Sequence, residues 1–192
     1  MTNLRERKKL EAWRAIRAAA LKLFAERGYE AVNVEQIAAA ANVSRATYFN
    51  YFASKEAVVF DQDPEEHETL RAMMDARPAG EPLWDSLTAI MIGLNERLAD
   101  RMPLQRRLKA QSPALAQSTQ DFGEQFRADL NRWAVNRAGD GVGTILQLNL
   151  MSAATATAYQ TWQPDEPFET YLNRLRECLR QAGAGVAVAP PR

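Results

Sequence analysis

The stretch Asn33-Val34-Glu35-Gln36-Ile37-Ala38-Ala39-Ala40-Ala41-Asn42-Val43-Ser44-Arg45-Ala46-Thr47-Tyr48-Phe49-Asn50-Tyr51-Phe52 decides how this chain folds. Asn33 followed three residues later by Gln36 is the pattern of a reciprocal helix cap, and Val34, Ile37, Ala38 and Ala41 then share one face of a short helix. The break at Asn42 needs a residue that tolerates positive φ, for which asparagine is the best choice after glycine. Ser44 then caps a third helix, from Arg45 to about Tyr51. Two short helices joined by a tight turn have the helix-turn-helix shape, whose second helix can enter a DNA major groove.

Outward from this stretch the pattern is helical on both sides. Upstream, Trp13, Ile16, Ala20, Leu23 and Phe24 recur at three- and four-residue steps, and Gly28 stops that helix. Downstream, Ser54 opens a segment running to about Ala76. Further segments span about 83–102, 104–110 and 113–138, the last opened by Ser112-Pro113. An uncharged helix over 144–162 and a last one over about 168–182 follow, with a frayed tail from Gly183. No run of β-branched and aromatic residues alternates at period two. The expected fold class is therefore all-α: a three-helix head with the helix-turn-helix over 1–54, a helical module over 55–183, and a tail over 184–192.

The 192 residues can bury a real core, and 46% hydrophobic with 25% charged residues is ordinary globular usage. The single cysteine, Cys178, rules out an internal disulfide. The charged start, Met1 to Lys9, lacks the apolar stretch of a secretory signal. The uncharged run between Gly141 and Pro164 is too polar, with Gln147, Asn149, Ser152 and Thr155, to span a membrane. A cytoplasmic protein without a membrane partner is expected. The formal net charge of zero hides an asymmetry: residues 1–55 hold ten Lys and Arg against five Asp and Glu, and the remainder holds 14 against 19. A basic module ahead of an acidic one hints at nucleic acid or another anionic surface.

The stretches Ala25-Glu26-Arg27-Gly28-Tyr29-Glu30, Val34-Glu35-Gln36-Ile37-Ala38 and Ala41 to Glu56 resemble the tetracycline-repressor (TetR) family of bacterial regulators, over roughly residues 10 to 60. The resemblance implies a ligand-responsive, sequence-specific regulator, a repressor released by a small hydrophobic effector, that binds a palindromic double-stranded DNA operator as a homodimer. It implies DNA contacts from Ser44, Arg45, Thr47, Tyr48, Asn50, Tyr51 and Lys55, with Arg45 as the bidentate guanine reader and Lys55 on phosphate. Phe49 stands where the family usually has a tyrosine that meets phosphate, so that contact is lost or moves to Tyr48 or Tyr51. Asn42 replaces the usual turn glycine. Arg5, Arg7, Lys8 and Lys9 suit either a DNA-binding arm or a solvated charge run.

In the second module, the uncharged helix and the amphipathic one after it, with Tyr171, Leu172, Leu175 and Leu179, suit packing against a second copy. Trp84, Met91, Phe122, Phe126, Trp133 and Tyr159 are the candidate lining of an apolar effector pocket. His67, in Glu65-Glu66-His67-Glu68, lacks the partners of a metal site and reads as a solvated face, so neither metal nor cofactor is expected. One histidine and one cysteine leave few nucleophile and base combinations, so an enzyme is not expected. A helical carrier or carboxylate-based enzyme that ignores DNA is the alternative.

Overall fold

The computed structural model describes residues 4–61, 63–116 and 124–186. Among these residues the chain is helical, with no strand. It packs as two units, one of residues 4–66 with 104–116 and one of 67–103 with 124–186.

The first unit holds the expected head. Helix α1 (Leu4–Arg27) buries Trp13, Ile16, Ala20, Leu23 and Phe24 along one stripe. Gly28 at φ +82 ends it and donates its N–H to the Phe24 carbonyl. Arg5 to Lys9 lie within α1, where Arg7 pairs with Glu11 one turn on, so they form an exposed helical turn rather than a loose arm. Helix α2 (Val34–Ala40) opens with the reciprocal cap: Gln36 N–H to Asn33 Oδ1 and Asn33 N–H to Gln36 Oε1, both 2.9 Å.

Helix α2 ends in a paired-carbonyl cap. The Val43 N–H reaches the Ala38 carbonyl at 2.9 Å and the Asn42 N–H reaches Ala39 at 3.1 Å. That pattern requires a left-handed residue, and Asn42 has φ +54. Helix α3 (Arg45–Phe49) is shorter than expected and is capped by Ser44, which accepts the Thr47 N–H. Ile37, Tyr48 and Phe52 are fully buried against α1, each worth ~1.5–3 kcal/mol of burial, so the helix pair is fixed rather than hinged.

The segment expected as one helix from Ser54 to Ala76 is two, α4 (Lys55–Phe60) and α5 (Glu66–Asp75). Pro64 disfavours helical backbone before it. The Val59 and Asp61 carbonyls are instead taken by the buried Arg17 guanidinium, at 2.9 Å for Val59. Pro103 does not end a helix but sits in the first turn of α7 (Met102–Gln111), where its missing N–H costs nothing. Residues 104–116, ending in α8 (Pro113–Ala116), join the head: Leu108 and Leu115 enter its core, and Gln105 donates to the Val59 carbonyl at 2.6 Å. The first packing unit is thus larger than the 1–54 module, because α4 and residues 104–116 are needed to cover its apolar side.

The second unit is built from α5, α6 (Leu83–Glu96), α9 (Glu124–Ala138), α10 (Val142–Thr161) and α11 (Phe168–Val186). The segment expected over 113–138 is described only as α8 and α9. Helix α10 buries Thr144, Leu148, Met151, Ala154 and Ala158, of which the two alanines let α11 approach with Tyr171, Leu175 and Leu179. Its opposite face is exposed and uncharged, led by Val142, Ile145 and Leu146. Helix α11 runs past the expected start of the tail, through Gly183 and Gly185. At Gly183 an added Cβ would overlap the Trp84 indole, so only glycine lets the tryptophan lie there. His67 is not simply solvated: its Nδ1 lies 3.4 Å from Asp129 of α9.

Candidate nucleic-acid interface

Helix α3 is anchored from beneath and open above. Tyr48 is fully buried between Phe49 and Phe52 and donates its hydroxyl to the Ser54 carbonyl at 3.0 Å. This corrects the expectation that Tyr48 meets DNA, since its one polar atom is committed to the chain's own backbone and no face of the ring reaches solvent. Burial also pushes its phenol upward, which keeps it neutral. Tyr51 is half-buried and packs on the same core. Ser44, Arg45 and Asn50 are exposed and Thr47 is half-buried. The Ser44 and Thr47 hydroxyls bond one another at 2.8 Å, and Arg45, Phe49 and Asn50 are the large side chains exposed on this segment.

Arg45 is held from two sides. Its Nε donates to Glu35 Oε1 at 2.7 Å, and its guanidinium carbon lies 4.8 Å from the centre of the Phe49 ring. Glu35 is held below the usual carboxylate range, first by its own backbone amide at the start of α2 and then by Arg45. With Nε engaged, the end of the guanidinium remains as a planar fork for a base edge. Sequence reasoning missed Glu35, because a pair ten residues apart across a turn leaves no periodic trace.

Lys55 sits at the first turn of α4, and its ammonium donates to the Tyr29 and Val32 carbonyls, each at 3.1 Å, while lying 3.9 Å from the centre of the Tyr29 ring. Two of its three N–H bonds therefore fasten α4 to the loop between α1 and α2. Tyr29 donates its hydroxyl to Glu56 Oε1 at 2.6 Å. Burial acts to raise the Glu56 carboxyl, yet the bonds from Tyr29, its own amide and Ser54 bring it below its ordinary value.

In the second unit, Met91 is buried and Trp84, Phe126, Trp133 and Tyr159 are partly buried in one cluster spanning α6, α9 and α10. The structure therefore brings five of the six candidate lining residues together; Phe122 lies outside the described residues. Two polar atoms in the same unit, Thr88 Oγ1 of α6 and Gln147 Oε1 of α10, are buried without a hydrogen-bond partner. Such groups cost ~1–3 kcal/mol each when left unmatched, a signal that residue type alone does not carry. Asn95 and Tyr171, by contrast, are matched at 2.6 Å. Among the described residues no group of three metal-ligating side chains occurs, and no helix is long and apolar enough to cross a membrane.

Residues 16–61 match the family model described as "Bacterial regulatory proteins, tetR family". The chain is 27% identical over 173 residues to the putative mycofactocin biosynthesis transcriptional regulator MftR of Mycobacterium tuberculosis, covering 87% of each chain. It is 42% identical over 78 residues to the HTH-type transcriptional regulator TcmR of Streptomyces glaucescens, covering 41% of this chain and 34% of that one. Among solved structures, FadR of Thermus thermophilus, a TetR-family repressor in complex with lauroyl-CoA, aligns with a TM-score of 0.57 at 22% identity. The alignment covers 93% of this chain and 97% of that one. FadR of Bacillus halodurans, a fatty acid degradation regulator, aligns with a TM-score of 0.56 at 18% identity, covering 87% and 93%. These two likenesses carry the fold.

Proposed function

We propose that the chain, whose residues 16–61 match the tetR family model, is a transcriptional regulator of that family: a dimeric repressor released from a palindromic operator by a small apolar effector. The observation that carries this reading is the geometry of α3. Tyr48 and Phe52 pin it to the core, while Arg45 and Asn50 stand exposed. A helix held so rigidly can present the Arg45 fork to a guanine at little further entropic cost. Ser44 and Thr47 support the start of that helix, and Tyr51 and the remaining N–H of Lys55 contact backbone phosphate.

Two-fold symmetry is the usual solution for reading heads this small, with half-sites about 34–36 Å apart. The exposed uncharged face of α10, with Val142, Ile145 and Leu146, supports dimerisation through this helix and α11. The effector lies in the second unit among Trp84, Met91, Phe126, Trp133 and Tyr159, a unit that also holds the unmatched polar atoms of Thr88 and Gln147. It acts only through a difference in affinity between the DNA-bound and free arrangements, and bound DNA weakens its binding by the same factor.

Selection of bound duplexes from a random pool tests the reading. An inverted repeat centred on the α3 contacts is expected, with a steep loss of affinity as salt rises. Failure to retain any duplex at low ionic strength would refute it. Lauroyl-CoA, the ligand in the Thermus FadR structure, is a rational first compound to test for release.

A further inference from the structure

We propose that Phe49 determines specificity by packing its exposed ring against the 5-methyl group of a thymine next to the base that Arg45 reads. The inference rests on α3 being the DNA-reading helix. Phe49 follows Arg45 by four residues, so the two side chains rise from the same face of α3. Phe49 is 40% exposed although Tyr48 and Phe52 beside it are wholly buried. A single exposed apolar side chain is ordinary on a protein surface, and what distinguishes Phe49 is that it shares the α3 face with Arg45, whose guanidinium lies over its ring.

The geometry narrows what a partner at this face can be. Arg45 lies over the Phe49 ring at 4.8 Å and is bonded through Nε to Glu35, so one face of the ring is occupied and the guanidinium is fixed beside it. Whatever meets the free part of the ring also lies beside the group that meets the Arg45 fork. In a major groove the apolar feature adjacent to a guanine O6/N7 edge is the thymine methyl, and phenylalanine is among the side chains that pack on it. Having no hydroxyl, Phe49 can neither donate to a phosphate nor bond a base edge, so its contribution to recognition is apolar contact alone.

The test uses the full chain and the duplex selected above, with each thymine replaced singly by deoxyuridine, which removes the methyl and leaves every hydrogen-bonding group. One thymine per half-site, adjacent to a guanine, should prove sensitive. Its replacement should weaken binding about fourfold in one half-site and about fifteenfold in both, the worth of one buried methyl group each time. In Phe49→Ala, with the two duplexes compared on the same protein so that any loss from a loosened Arg45 divides out, the same replacement should change nothing. If no thymine is methyl-sensitive in the wild-type protein, or if Phe49→Ala is as sensitive as wild type, this inference is overturned while the regulator reading stands. A pool that yields no bound duplex overturns both.

Discussion

Replacing Asn42 with valine probes the turn on which the reading head depends. The residue sits at φ +54, where an L side chain costs ~1–2 kcal/mol and a β-branched one the upper end of that range or more. The alternative is for the backbone to relax to negative φ, which breaks the Val43 to Ala38 and Asn42 to Ala39 bonds that close α2. Either route should destabilise the head by about 2 kcal/mol, which is roughly a thirtyfold increase in its open population. Hydrogen exchange of the Ile37 and Ala41 amides, read in wild type, Asn42→Val and Asn42→Gly, would measure it. Glycine adopts this φ freely, so Asn42→Gly should stay within a few tenths of a kcal/mol of wild type. Unchanged protection in Asn42→Val, or equal losses in both variants, would refute the assignment of strain to this residue.

Four further outcomes are expected. Arg17→Leu removes the donor to the Asp61 carbonyl and one of the two donors to the Val59 carbonyl, which Gln105 still serves, and should cost about 1–3 kcal/mol in calorimetric unfolding; a melt like that of wild type would mean that water replaces the lost bonds. Lys55→Met should do two separable things: lower the melting temperature by loosening α4 from Tyr29 and Val32, and reduce the salt dependence of DNA binding by about one ion. A lower melting temperature with an unchanged salt dependence would restrict Lys55 to a structural role. The Glu81 carboxyl is held down to about 2 by Arg77 and then by the Ser86 hydroxyl. A carboxyl depressed in the folded state stabilises above its ordinary value of 4.5 and loses that effect as pH falls toward 2, so the melting temperature should drop through this window and drop less in Glu81→Gln. Leu146→Asp places a charge on the uncharged face of α10 and should halve the sedimenting mass; a mass equal to that of wild type would move the dimer interface elsewhere.

The features legible in the sequence were those written in local pattern. The Asn33 and Gln36 cap, the left-handed Asn42, the Ser44 cap and the stop at Gly28 each depend on residues at most a few positions apart, and all stand as read. The break between α4 and α5 was hidden because Pro64 alone marks it, while the buried Arg17 that claims the carbonyls there comes from a helix more than forty residues earlier. Pro103 misled for the opposite reason, since the same residue that ends one helix can begin another. At the interface, Arg45 was recognisable by type and place, whereas the inward turn of Tyr48, the grip of Glu35 on Arg45 and the commitment of Lys55 to carbonyls are tertiary facts. None of these contacts follows from periodicity.

The head borrows Leu108 and Leu115 from a segment encoded well after its own helices. A ribosome adding ~5–20 residues per second therefore needs several seconds, after the last residue of α4 is made, to deliver the leucines that close this core. During that interval Phe60 and its neighbours remain uncovered, open to chaperones or to another nascent chain. Exchanging heads between relatives carries the same constraint: a graft cut after α4 would leave its lid behind, and the crossover has to carry residues 104–116 as well.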